Sequence, residues 1–157
     1  MIKFISKFTQ QLEEAFEIGK KTSLNKTNKT LENVIICGLG GSGIGGKIAS
    51  QVIENYSSIP VVIHNSYSLP KFVGKNTLVI ISSYSGDTEE TISSLEEALK
   101  RKAEIACISS GGKVTEIAVK NNLNLIVVPG ENPPRAMLTY SLTQLFFILN
   151  NYELIYD

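Results

Sequence analysis

Ser83, Ser85 and Thr88 place three hydroxyls inside six residues, Ser83-Tyr84-Ser85-Gly86-Asp87-Thr88, with one glycine among them. Before them runs Leu78-Val79-Ile80-Ile81, apolar throughout and readable as a buried strand. After them Ile92, Leu95, Ala98 and Leu99 recur at helical spacing. The hydroxyls therefore fall in a strand-to-helix turn. Gly86 admits a backbone shape closed to other residues. The first N–H groups of the helix point into the same space and carry partial positive charge. Hydroxyls, N–H groups and a helix dipole meeting at one point suit an anion, a phosphate above all. The turn holds no lysine or arginine, so neutral donors would carry the binding. The plain alternative is a helix cap with solvated serines.

A second unusual stretch follows the apolar run Val34-Ile35-Ile36-Cys37. Gly38-Leu39-Gly40-Gly41-Ser42-Gly43-Ile44-Gly45-Gly46 has six glycines in nine residues. Such a stretch lets backbone approach a ligand closely, or a helix approach a sheet. Gly38, Gly40 and Gly43 also fit the dinucleotide fingerprint G-x-G-x-x-G. That fingerprint needs an acid at the end of the second strand, for the ribose hydroxyl. Here the strand ends Ile63-His64-Asn65. A dinucleotide would also leave the serine turn without a role, so dinucleotide binding is the weaker alternative.

These two stretches need a frame. The pattern predicts an amphipathic helix over residues 1–20, a polar, mobile connector over 21–32, and a core over 33–150. Ile5, Phe8, Leu12, Ala15 and Phe16 mark the apolar face of the first helix. Strands are expected near 34–37, 60–64, 78–81, 104–108 and 123–128. Helices are expected near 44–55, after the serine turn, before residue 120, and over 136–150. In the first of these Ile48, Ala49, Val52 and Ile53 should face inward. The last carries Leu138, Leu142, Leu145, Phe146, Phe147, Ile148 and Leu149, apolar nearly all round. One of its faces should cover the sheet and the other should need a partner.

Strands apolar on both faces, alternating with helices, predict a three-layer α/β domain with a parallel sheet. The expected architecture is flavodoxin-like, five strands in the order 2-1-3-4-5. In that order ligands bind where the chain reverses, between strands 1 and 3. The glycine stretch follows strand 1 and the serine turn follows strand 3. Neither was used to place the other.

Composition narrows the partners. Fifteen basic and fifteen acidic residues cancel, which argues against nucleic acid and against an anionic membrane. Cys37 and Cys107 lie in apolar runs and read as small core hydrophobes. No metal and no cofactor is expected. His64, the single histidine, sits at a strand end and reads as structural. Met1-Ile2-Lys3-Phe4 opens no secretory leader, and no apolar run approaches membrane length, so a cytoplasmic protein is expected.

Four blocks occur in order along the chain: Gly38-Leu39-Gly40-Gly41-Ser42-Gly43, Tyr67-Ser68-Leu69-Pro70, Ser83-Tyr84-Ser85-Gly86-Asp87-Thr88-Glu89-Glu90-Thr91 and Pro133-Pro134-Arg135-Ala136. Together they resemble the first sugar-isomerase (SIS) domain of the bifunctional phosphoglucose/phosphomannose isomerases. The resemblance implies that Ser83, Ser85 and Thr88 hold the phosphate of a sugar phosphate such as glucose, fructose or mannose 6-phosphate. Tyr84 lies in the same substrate-binding stretch. It further implies that Gly41 and Ser42 lie along the sugar and that Arg135 stands near the reacting carbons. An aldose–ketose exchange passes through an enediolate, whose oxyanion a permanently charged arginine suits. The family carries two SIS domains per chain. Its base glutamate, ring-opening histidine and late lysine belong to the second domain or beyond, and those positions have no counterpart within residues 1–157. By the same resemblance the domain is expected to pair, with a second copy or with a second SIS domain. A non-catalytic module that senses a sugar phosphate is the alternative.

Overall fold

The computed structural model describes residues 7–130 and 137–155. In chain order the elements are α1 (Phe8–Lys21), β1 (Asn33–Cys37), α2 (Gly40–Ile53), β2 (Val61–His64), β3 (Thr77–Ser83), α3 (Glu89–Lys100), β4 (Glu104–Ser109), α4 (Gly112–Lys120), β5 (Asn124–Val127) and α5 (Leu138–Asn151). The five strands form one parallel sheet in the order β2-β1-β3-β4-β5. This is the flavodoxin-like three-layer arrangement expected.

Alternation along the strands splits the core in two. Val34, Ile36, Leu78, Ile80, Ala106, Ile108 and Ile126 face α1, α2 and α5. Ile35, Cys37, Val79, Ile81, Ile105 and Cys107 face α3 and α4. Every residue of β3 is buried, as suits the central strand of a covered sheet. Cys37 and Cys107 are free and buried, and loss of solvent pushes both thiols up to about 12. Among the described residues, no helix is long and apolar enough to cross a membrane.

Packing changes several expectations. Helix α2 begins at Gly40, four residues earlier than expected. A Cβ on Gly46 would lie 3.0 Å from Ile36 Cγ2, so that glycine lets α2 settle onto β1. The inward face of α2 is Ser42, Gly45, Gly46, Ala49 and Ile53, whereas Val52 is exposed.

Helix α1 also turns differently. Gln11, Ala15 and Gly19 are its buried residues, while Phe8, Leu12 and Phe16 are about half exposed. Gly19 lies under the Phe147 ring, and Gln144 Nε2 donates to the Ala15 carbonyl at 2.7 Å. The Tyr140 hydroxyl donates to Glu14. So α1 covers the face of α5 that was expected to need a partner, and the exposed apolar residues appear on α1 instead.

The 22–32 segment has no helix or strand but is fastened. Asn124 accepts from Asn25 N–H at 2.7 Å and donates to its carbonyl at 3.0 Å. Thr27 and Lys29 both bind Glu104. The expected mobile connector is thus tied to the near ends of β4 and β5.

Candidate functional site

Strand β3 ends at Ser83, and the chain turns through Tyr84 to Thr88 before α3 begins. Gly86 has φ +78°, which the turn requires, and its N–H donates to the Ser83 carbonyl at 3.1 Å. Ser83 is buried, and its hydroxyl donates to Thr88 Oγ1 at 3.3 Å. Ser85 is exposed and Thr88 half-buried. The structure thus brings Ser83 and Thr88 together, with Ser85 at the open side of the same turn.

Thr88 is the residue before α3, yet its side chain makes no capping bond to the helix. The first intrahelical bond runs from Ile92 N–H to the Thr88 carbonyl at 3.0 Å. The N–H groups of Glu89, Glu90 and Thr91 precede it and line the helix start. Thr91 turns its own hydroxyl back to the Thr88 carbonyl, 2.8 Å away. Glu89 and Glu90 occupy the first turn, where carboxylates complement the helix dipole.

A second turn braces the first. Tyr84 is buried, and its carbonyl accepts from Ser110 N–H at 2.9 Å and from Ser110 Oγ at 2.6 Å. The Gly86 carbonyl accepts from Val114 N–H at 2.9 Å. Asp87 Oδ1 accepts from Lys113 N–H at 2.9 Å, at the start of α4. Asp87 is therefore committed to the start of α4. A Cβ on Gly112 would fall 2.6 Å from that Asp87 oxygen. This interlock of Ser110, Gly111 and Gly112 with the serine turn was not foreseen in the sequence. The Ser109-Ser110-Gly111-Gly112 run was its only local sign.

Across the crevice, Gly38 N–H donates to the His64 carbonyl at 3.1 Å, and the chain enters α2 at Gly40 with φ +54°. Among the described residues, and apart from its own chain neighbours and helix backbone, no heavy atom lies within 4 Å of a Cβ built on Gly40. Gly41 is half-buried and Ser42 buried, both in the first turn of α2. Gly38 approaches β3 closely: its Cβ would be 3.0 Å from the Ser82 carbonyl. The starts of α2 and α3 follow the neighbouring strands β1 and β3, and an open groove of about 480 Å³ runs beside Gly38, Gly40 and Gly43. His64 pairs in register with Cys37, and its Nε2 is buried with no hydrogen-bond partner among the described residues. Arg135 and the rest of its Pro-Pro-Arg block lie outside the described residues. Among the described residues, no three His, Cys, Asp or Glu side chains gather as a metal site.

The SIS domain model matches residues 30–151, which spans the whole sheet and both turns. The chain belongs to the SIS domain family. A bifunctional phosphoglucose/phosphomannose isomerase of Caldicellulosiruptor bescii is 40% identical over 148 residues, 94% of this chain and 44% of that protein. The chain thus spans somewhat under half the length of that relative. The C-terminal domain of glucosamine-fructose-6-phosphate aminotransferase from Francisella tularensis shares the fold, with TM-score 0.68 and 14% identity. That match covers 98% of this chain and 50% of the other. The Vibrio vulnificus NanR protein complexed with ManNAc-6P also shares it, with TM-score 0.61 and 15% identity over 93% of this chain and 53% of that one.

Proposed function

We propose that this SIS domain binds the phosphate of a sugar phosphate in the 83–88 turn, as part of a glucose-6-phosphate/mannose-6-phosphate aldose–ketose isomerase. The observation that carries this is the set of hydroxyls around the start of α3. Ser85 is exposed, Thr88 leaves its helix uncapped, and Ser83 holds Thr88 from behind. Neutral donors aimed at one point, with a helix dipole behind them, are what a phosphate needs. The names of the similar isomerases support the sugar half of the reading.

In this reading Gly41 and Ser42, at the start of α2, run along the sugar, and Tyr84 belongs to the lining of the turn. Arg135 stabilises the enediolate oxyanion with a fixed charge. The base that moves the carbon-bound proton comes from a second SIS domain. Glucose 6-phosphate, fructose 6-phosphate and mannose 6-phosphate should each raise the melting temperature, while free glucose and NAD should not. Equal shifts from free glucose, or a shift from NAD alone, would remove the phosphate turn from the reading.

The pairing part of the proposal rests on α1. Phe8, Leu12 and Phe16 stand about half exposed at four-residue steps. Leu12 and Phe16 line a groove of about 410 Å³ with Leu142, Phe146 and Phe147. So much exposed apolar surface favours a partner. The isolated chain is expected to sediment as a dimer at micromolar concentration, and Phe16→Glu should leave it monomeric. A wild-type chain that sediments only as a monomer would count against pairing through this face.

A further inference from the structure

Helix α3 does more than end the serine turn. Its side chains hold the 66–73 segment at three levels along the helix. At the far end Arg101 donates to three carbonyls, Pro70 at 2.6 Å, Leu69 at 3.1 Å and Val73 at 3.2 Å. Its Nη2 also donates to Glu97 Oε1 at 2.6 Å. The other Glu97 oxygen accepts from Leu69 N–H, again at 2.6 Å. In the middle Ser94 Oγ donates to the Ser66 carbonyl at 3.3 Å. At the near end the Tyr67 hydroxyl donates to Glu89 Oε2 at 3.4 Å. Glu89 directly follows Thr88.

The two ends differ in burial. Leu69 and Val73 are buried against the sheet, whereas Tyr67 is 50% exposed. A large ring is thus held in solvent beside the phosphate turn, while the backbone on its far side is bound to the helix that begins at that turn. Leaving an aromatic ring exposed gains nothing for the fold. A rigid support under a loop residue is how a contact to a ligand is usually set. A guanidinium satisfying three carbonyls of one segment, and braced by Glu97, fixes that segment's path.

We propose that Tyr67 is a sugar-contacting residue at the mouth of the phosphate turn, and that Glu97 and Arg101 are positioning residues that hold it there. This rests on the phosphate-turn reading above, and it adds a source of discrimination. The turn recognises the phosphate; the Tyr67 ring recognises the body of the sugar attached to it. An inorganic phosphate uses only the first, and a sugar phosphate uses both.

The test compares glucose 6-phosphate with inorganic phosphate by calorimetry, alongside hydrogen exchange of residues 66–73. Tyr67→Ala touches an exposed side chain and should leave the fold intact. It should weaken glucose 6-phosphate about tenfold, the worth of one good contact, and leave inorganic phosphate unchanged. Arg101→Met should speed exchange at Leu69 and weaken glucose 6-phosphate similarly. In a Tyr67→Ala background Arg101→Met should then add nothing to the loss. Unchanged exchange in Arg101→Met would overturn the clamp. Faster exchange with an unchanged ratio of the two affinities would overturn the contact, as would equal losses for both ligands in Tyr67→Ala. If the unaltered chain binds neither ligand, the phosphate-turn reading itself fails and takes the contact with it, while the exchange result still decides the clamp.

Discussion

Gly86→Ala should lose sugar-phosphate binding and lower stability by about 3 kcal/mol or more. Gly86 holds φ +78°, a left-handed conformation that costs a residue with a Cβ about 1–2 kcal/mol. Space is the harder limit. A Cβ there would lie 1.8 Å from the Gly111 carbonyl oxygen and 2.7 Å from Ser109 Oγ. The nearest obstacle is backbone, so a rotamer change cannot relieve it. Either the serine turn or the Gly111 turn must move. The two are joined by the bonds from Ser110 to Tyr84 and from Val114 to Gly86, so movement of one carries the other. Urea unfolding and a glucose 6-phosphate titration would read both effects. Gly74→Ala is the control: Gly74 has open space around its Cβ position and no positive φ, and its cost should stay within about 0.5 kcal/mol. A Gly86→Ala protein with the unaltered midpoint and affinity would show that the turn is not built as described.

The Ser85→Ala, Thr88→Ala double variant should lose binding while remaining folded. Each hydroxyl would give one hydrogen bond to a charged phosphate, worth about 1.5–3 kcal/mol. Losing two should weaken glucose 6-phosphate by roughly a hundred- to ten-thousand-fold, which removes the thermal shift at millimolar ligand. The folded protein gains one hydrogen bond from each, Asp87 N–H to Ser85 Oγ and Ser83 Oγ to Thr88 Oγ1, both at 3.3 Å and together worth about 1–2 kcal/mol. Ser85 is exposed, and Thr88 makes no capping bond. Ser83→Ala should behave differently, because Ser83 is buried and acts on Thr88. Its removal should cost about 1 kcal/mol of stability and a smaller part of the affinity. A double variant that still shows the full shift with glucose 6-phosphate would move the phosphate elsewhere.

The sequence alone determined the sheet, its strand order and the place of the two turns. The reason is that these are short-range signals. A strand covered on both faces is a continuous apolar run, so Val34–Cys37 and Leu78–Ile81 stand out without knowledge of their neighbours. Strand order then follows from right-handed crossovers and the usual arrangement of five such strands.

Packing, by contrast, sets which side of each helix meets what. Glycine is a poor helix former, so residues 40–43 read as loop, yet Gly43 N–H already donates to the Leu39 carbonyl at 3.2 Å and the helix starts at Gly40. Periodicity put Phe8, Leu12, Ala15 and Phe16 on one apolar face, against the domain or a partner; the fold buries Ala15 with Gln11 and Gly19 and leaves the other three about half exposed. The 22–32 segment read as mobile because its anchor, Asn124, is 99 residues away in sequence from Asn25. Arg101 and Glu97 carry no local sign of their role, since their partners are carbonyls and an N–H on a distant loop. Side-chain periodicity carries no information about backbone groups elsewhere in the chain. Those contacts exist only once the sheet has brought the loop and the helix side by side.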